Sequence, residues 1–166
     1  SITGENVFFR SMATRGADTG LPEHLADVIA VLKAAGFDLV IVETPGIGQG
    51  DAAIVPFVDT SMYVMTPEFG AASQLEKIDM LDFADVVAIN KFERRGAKDA
   101  LRDVGRQLVR NREAFGKRPE DMPVYGTSAA TFNDDGVTAL HQHLKAALAE
   151  KGLPLSEGAL APVDIR

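Results

Sequence analysis

Three short stretches of this 166-residue chain set chemistry-bearing side chains beside glycines or small residues. The first runs Glu43-Thr44-Pro45-Gly46-Ile47-Gly48-Gln49-Gly50-Asp51, a carboxylate followed by three glycines within five positions. Such a loop brings backbone N–H groups close to an anion, and Gly46 can take backbone angles that other residues avoid. Glu43 can hold a water of a Mg²⁺ shell, because Mg²⁺ prefers oxygen ligands and keeps several waters. The same residues also describe a plain turn between strand and helix with an acidic cap. The second stretch is Asn90-Lys91-Phe92-Glu93. A carboxylate three residues after an Asn can accept two hydrogen bonds from a donor pair such as guanine N1–H and N2–H₂, and the alkyl stem of Lys91 can lie over a base. Arg94 and Arg95 follow at once, so a solvated charged loop also fits. The third stretch, Thr127-Ser128-Ala129, is small enough for a backbone N–H to reach a purine O6, although three small residues alone carry little.

Positioning these stretches requires strands that end where they begin. Apolar runs suggest strands at Val7 to Phe9, Asp38 to Thr44, Ser61 to Thr66, Asp85 to Asn90 and Pro123 to Thr127. Continuous runs such as Leu39-Val40-Ile41-Val42 imply burial on both faces. Between them lie segments of helical period: Leu25, Val28, Ile29, Leu32 and Ala35, ending at Gly36, a C-cap residue type, with Pro22 fitting the first turn; then Gln74 to Phe83, Ala97 to Phe115, and Gly136 to Lys151. This alternation predicts an α/β fold with a doubly wound, mainly parallel sheet. In such sheets ligands sit beyond the carboxyl ends of the strands, where Glu43, Asn90 and Thr127 fall. Residues 1–150 read as one domain and residues 151–166, mixing Pro, Gly and isolated apolar residues, as a linker or docking arm.

Composition narrows the classes of partner. With 17 Lys+Arg against 24 Asp+Glu the net charge is −7, which argues against a nucleic-acid binder. No apolar run is long enough to span a bilayer. The absence of Cys excludes disulfides, thiolate nucleophiles and Cys-ligated zinc, and suits the cytoplasm. The first residues lack both an initiator Met and a secretory signal, which suggests a piece of a longer chain.

Taken together, Glu43-x-x-Gly46, Asn90-Lys91-x-Glu93 and Thr127-Ser128-Ala129 resemble, in order and place, the third, fourth and fifth nucleotide motifs of P-loop GTPases. The run from Ala34-Ala35-Gly36-Phe37-Asp38 through Val40-Ile41-Val42-Glu43-Thr44 to Gly46-Ile47-Gly48-Gln49 resembles the G-protein chaperones of adenosylcobalamin-dependent acyl-CoA mutases, the MeaB/ArgK-like family also described as LAO/AO transport ATPases. Within that family, Asn90 to Ala97 and Asn111 to Asn133 are most similar to the GTPase domains fused to isobutyryl-CoA mutases. The resemblance extends from Val7 to Leu148. It implies a domain that binds GTP/GDP with Mg²⁺, hydrolyses GTP, and gates cofactor loading and protection of a mutase acting on isobutyryl-CoA or methylmalonyl-CoA. Adenosylcobalamin enters only through that mutase partner, fused or separate. Glu43 then corresponds to the acidic residue placed for Mg²⁺ or its water, and Gly46 to the glycine whose N–H meets the γ-phosphate. Asn90, Lys91 and Glu93 correspond to the guanine readers, with Ser128 and Ala129 supporting the base. Glu68 to Lys77 takes the place of the family's extra switch, which contacts the mutase. Gln49 and Asp51 match family positions of unassigned role, and the stretch from Arg10 to Gly20 lies where a second switch is expected.

The chain departs from the pattern in two ways. The guanine motif ends in Glu93 where Asp is commoner, and the extra methylene implies a looser guanine preference. Nothing reads as G-x-x-x-x-G-K-[ST], so the expected fold is of the P-loop GTPase type lacking its first strand and P-loop. In the family that strand separates the strands ending at Glu43 and near Thr66. Either another chain or segment fills the gap, or the two pair directly around Ile41 and Val64; the bare edges favour a homo-oligomer. Without the P-loop, the chain alone is expected to be inactive. The competing readings are a nucleotide-free module docking on the mutase and a receiver-like domain holding Mg²⁺ through Glu43 and Asp51. His141 and His143, two apart on a helix, cannot chelate one metal as an i, i+4 pair would. Lys98, Arg102, Arg106 and Arg110 form either a basic stripe or a solvated face shared with Asp99 and Asp103.

Overall fold

The structure is a computed structural model that describes residues 6–14, 20–45, 51–156, 163 and 165. The chain divides into two compact units, Ser1–Ala53 and Ile54–Arg166.

In the first unit the apolar period produces α1 (Leu25–Ala34), with Asp27 in its first turn and Lys33 in its last complementing the helix dipole. Gly36, at φ +86°, turns the chain out of the helix. Its N–H reaches Lys33 O at 3.1 Å and Phe37 N–H reaches Leu32 O at 3.2 Å, closing the terminal carbonyls in a Schellman arrangement. The Phe37 ring meets Phe8 at a centroid distance of 6.3 Å. The strands expected at 7–9 and 38–44 do not form; both segments lie outside any ladder, and Ile41 is 82% exposed. Apolar runs propose a strand, but only a hydrogen-bonded neighbour makes one. Of the two alternatives for the gap, direct pairing around Ile41 and Val64 forms no ladder among the described residues.

The second unit holds three parallel strands in the order β1 (Met62–Met65), β2 (Val86–Asn90), β3 (Val124–Thr127). Their register pairs Met62 with Val86 and Asn90 with Thr127. Val86, Val87 and Ile89 are fully buried and Ala88 nearly so. Consecutive strand residues face opposite ways, so both faces of β2 are covered. Ser61 and Asp85 lock the entry ends of the first two strands: Ser61 N–H donates to Asp85 Oδ2 at 2.8 Å and Asp85 N–H to Ser61 Oγ at 3.2 Å.

Four helices flank this sheet: α2 (Ala72–Leu75), α3 (Met80–Phe83), α4 (Ala97–Asn111) and α5 (Asp135–Glu150). The first three pack together, α4 also lies on β2 and β3, and α5 lies on β3. The single helix expected over 74–83 is broken in two. Leu75 and Met80 are both buried, yet one continuous helix would set residues five apart about 140° around its axis. The break lets both face the core. α4 stops short of Phe115: Glu113 takes φ +50°, Ala114 N–H closes onto Val109 O at 2.9 Å, and Arg112 Nη2 donates to Ala84 O at 2.6 Å. Three short 3₁₀ segments, Asp51–Phe57, Pro67–Phe69 and Pro119–Asp121, complete the described elements. After α5, Lys145 Nζ donates to Ser156 O at 2.7 Å and Val163 N–H to Gln142 Oε1 at 3.1 Å, which ties these tail residues to the helix. Among the described residues no helix is long and apolar enough to cross a membrane.

Candidate nucleotide-base site

Adjacent parallel strands end side by side, and the register pair Asn90 and Thr127 therefore starts two neighbouring loops. Asn90 Oδ1 accepts from Thr127 Oγ1 and from Ala129 N–H, both at 3.4 Å. With the carbonyl oxygen so engaged, the Asn90 amide group is left to donate, and it meets no acceptor among the described residues. Lys91 takes φ +59°, a left-handed turn that redirects the chain. Phe92 N–H then donates to Thr127 O at 3.0 Å. The Phe92 ring fits there because Gly126 has no side chain; a Cβ on Gly126 would fall 2.5 Å from the ring.

This turn delivers Glu93 to Ser128, whose hydroxyl donates to Glu93 Oε2 at 2.7 Å. That bond, foremost, holds the Glu93 carboxyl below the usual carboxylate range. Glu93 itself is exposed and Ser128 is only 5% exposed, so a buried hydroxyl orients an accessible carboxylate. Ser128 is fixed in turn: its N–H donates to Asp134 Oδ2 at 3.1 Å, and the same oxygen caps α5 by accepting from Val137 N–H at 2.9 Å. Ser128 Oγ also meets Thr131 Oγ1 at 2.9 Å. Of the residues singled out from sequence, Asn90, Lys91, Glu93, Ser128 and Ala129 thus come together. Asp134 and Thr131 were not anticipated; an Asp three residues before Val137 at a helix start was the available signal for the former.

A second link runs from this loop to the end of β1. Arg94 Nη1 pairs with Glu68 Oε1. The Thr66 side chain, first, and Arg94 bring the Glu68 carboxyl down to about 2. The 3₁₀ turn carrying Glu68 is also pressed onto α4, since a Cβ on Gly70 would lie 2.3 Å from Ala100 Cβ.

Glu43 is exposed in the first unit. Gly46 and Gln49 lie outside the described residues. Among the described residues no three His, Cys, Asp or Glu side chains gather as a metal site. Glu43 offers one hard oxygen ligand, which fits an ion that keeps most of its waters. The arginine stripe on α4 is mostly satisfied locally: Arg102 pairs with Asp99 and Asp103, Arg106 with Asp103, and Arg110 donates to Gln107 Oε1. His143 Nδ1 is 3.0 Å from the Tyr125 hydroxyl, a structural contact between α5 and β3.

The family described as methylmalonyl-CoA mutase-associated GTPase MeaB matches residues 2–153. The chain belongs to the MeaB family. Longer proteins are similar to it. A fused isobutyryl-CoA mutase of Nocardia farcinica is 73% identical over 166 residues, all of this chain and 15% of that protein. One of Cupriavidus metallidurans is 65% identical over 166 residues, again 15% of its length. A protein of Pyrococcus horikoshii named as a GTPase is 35% identical over 143 residues, 86% of this chain and 44% of its own. This MeaB-family chain therefore spans about a seventh of the fused mutases it matches.

Proposed function

We propose that the loops after β2 and β3 form the guanine subsite of a GTPase domain serving a cobalamin-dependent acyl-CoA mutase in the cytoplasm. The observation that carries this reading is the Glu93 carboxylate, pinned by Ser128 and kept ionised beside an Asn90 amide that meets no acceptor among the described residues. Glu93 accepts from guanine N1–H and N2–H₂, the Asn90 amide donates to a ring nitrogen, and Ala129 N–H faces O6. Lys91 lays its stem along the base. Adenine, which offers an acceptor at N1 and no exocyclic amine at C2, meets the carboxylate without donors.

The family resemblance gives the phosphate contacts to Glu43 and Gly46. Glu43 would hold a water of a Mg²⁺ shell and Gly46 would offer its N–H to the γ-phosphate; Mg²⁺ would supply charge neutralisation at the phosphates. Names of relatives carrying an isobutyryl-CoA mutase support a mutase as partner, with adenosylcobalamin held by that partner alone. In this reading residues 1–150 form the C-terminal portion of a GTPase domain, residues 151–166 a linker or docking arm, and the protein works as a homo-oligomer.

The test uses a longer protein in which a P-loop segment precedes this chain. Competition binding should rank GTP above ITP, which lacks the amine, and above ATP. Glu93→Ala should cost GTP about 1–3 kcal/mol, the loss expected for charge-assisted hydrogen bonds. Glu93→Gln should shift preference toward XTP, whose C2 carbonyl needs a donor. Equal binding of GTP, ITP and ATP by the unaltered protein would dispose of the guanine assignment.

A further inference from the structure

Ser128 has one hydroxyl proton and two near neighbours, Glu93 Oε2 at 2.7 Å and Thr131 Oγ1 at 2.9 Å. An ionised carboxylate can only accept, so the proton of Ser128 is committed to Glu93. Thr131 must then be the donor to Ser128 Oγ. The backbone brings the two hydroxyls together: Thr131 N–H closes a turn onto Ser128 O at 3.0 Å. Asp134 Oδ2 holds the Ser128 N–H from the other side. Neither Thr131 nor Asp134 is within the three motif stretches, and neither has been given a part in reading the base.

From this relay we propose that Thr131 is a positioning residue for base selection, donating to Ser128 Oγ and so fixing the Glu93 carboxylate in the orientation that reads guanine. The inference rests on the guanine assignment above. Without the threonine donor, Ser128 Oγ loses the bond that fixes its position, and its grip on the long Glu93 side chain loosens. Chains of hydroxyls ending on a charge also polarise one another, so loss of the first donor weakens the last bond. Thr131 is exposed, and substitution there leaves the core untouched.

The experiment compares Thr131→Val, which keeps shape and removes the donor, with Thr131→Ser, which keeps the donor. In the longer protein with a P-loop segment, Thr131→Val should lower the GTP-to-ITP affinity ratio about five-fold, the scale of one hydrogen bond; Thr131→Ser should restore it. In the 166-residue chain, a ¹³C titration of the Glu93 carboxyl should move upward in Thr131→Val and stay in place in Thr131→Ser. An unchanged ratio and titration in Thr131→Val would overturn the inference while leaving the guanine site standing. Failure of the unaltered protein to prefer GTP over ITP would remove the guanine assignment and this inference with it.

Discussion

Gly136 sits in the first turn of α5, where intrinsic preference alone favours Ala by about 1 kcal/mol. The fold demands the opposite. A Cβ at this position would lie 1.8 Å from the Gly126 carbonyl oxygen on β3, and that neighbour is backbone, not the end of a flexible side chain. To reach ordinary contact the helix start must retreat by well over an ångström, pulling Asp134 away from Ser128. Overpacking of this kind costs about 1–3 kcal/mol, and a rigid carbonyl places the cost at the upper end. Net of the propensity gain, Gly136→Ala should destabilise by about 2 kcal/mol, lowering Tm by roughly 4–8 °C for a domain of this size. Thermal unfolding followed by circular dichroism measures this directly. A rise in Tm would refute the close approach of α5 to β3 and with it the anchoring of Ser128 by the helix cap.

Other expectations concern charge and phosphate. In a longer protein with a P-loop segment, Glu43→Ala should slow GTP hydrolysis more than it weakens GTP binding, because a carboxylate in a metal shell acts on developing charge; equal hydrolysis would remove that role. Glu68 titrates at about 2 against an ordinary 4.5. Its bonds to the Thr66 side chain, first, and to Arg94 therefore support the fold above pH 4.5, and that support is lost as pH falls toward 2; Arg94→Ala should raise the Glu68 midpoint in a carboxyl NMR titration. Calorimetric titration of the 166-residue chain with GTP·Mg²⁺ should show weak binding or none, since no P-loop Lys is present in it. Tight binding would mean that the phosphate site lies elsewhere.

The strands that were legible in sequence are those that pair with one another in the sheet. Val86-Val87-Ala88-Ile89 could be read because both flanking strands and the covering helices follow the same pattern of runs. Asp38 to Thr44 carries as strong a run, yet pairing is non-local and no residue type announces whether a partner strand lies beside it. The break between α2 and α3 was hidden because five-residue spacing is invisible to a search for threes and fours. At the site, Asn90, Glu93 and Ser128 were legible because their chemistry is compact in sequence. Asp134 and Thr131 act through Ser128, and only the folded turn brings them there.

The bare segment around Ile41 bears on how the chain behaves at high concentration. Leu39-Val40-Ile41-Val42 combines strong β-propensity with no Pro or Gly, and Ile41 stands 82% exposed with its backbone outside any ladder. Such a stretch is a template for stacking identical copies into cross-β fibrils. Asp38 and Glu43 bracket it with one carboxylate on each side, like charges that would pile up in register in a parallel stack. Besides the metal-shell role proposed for it, Glu43 then acts as a gatekeeper, and neutralising both flanking carboxylates should turn this unpaired segment into a fibril nucleus.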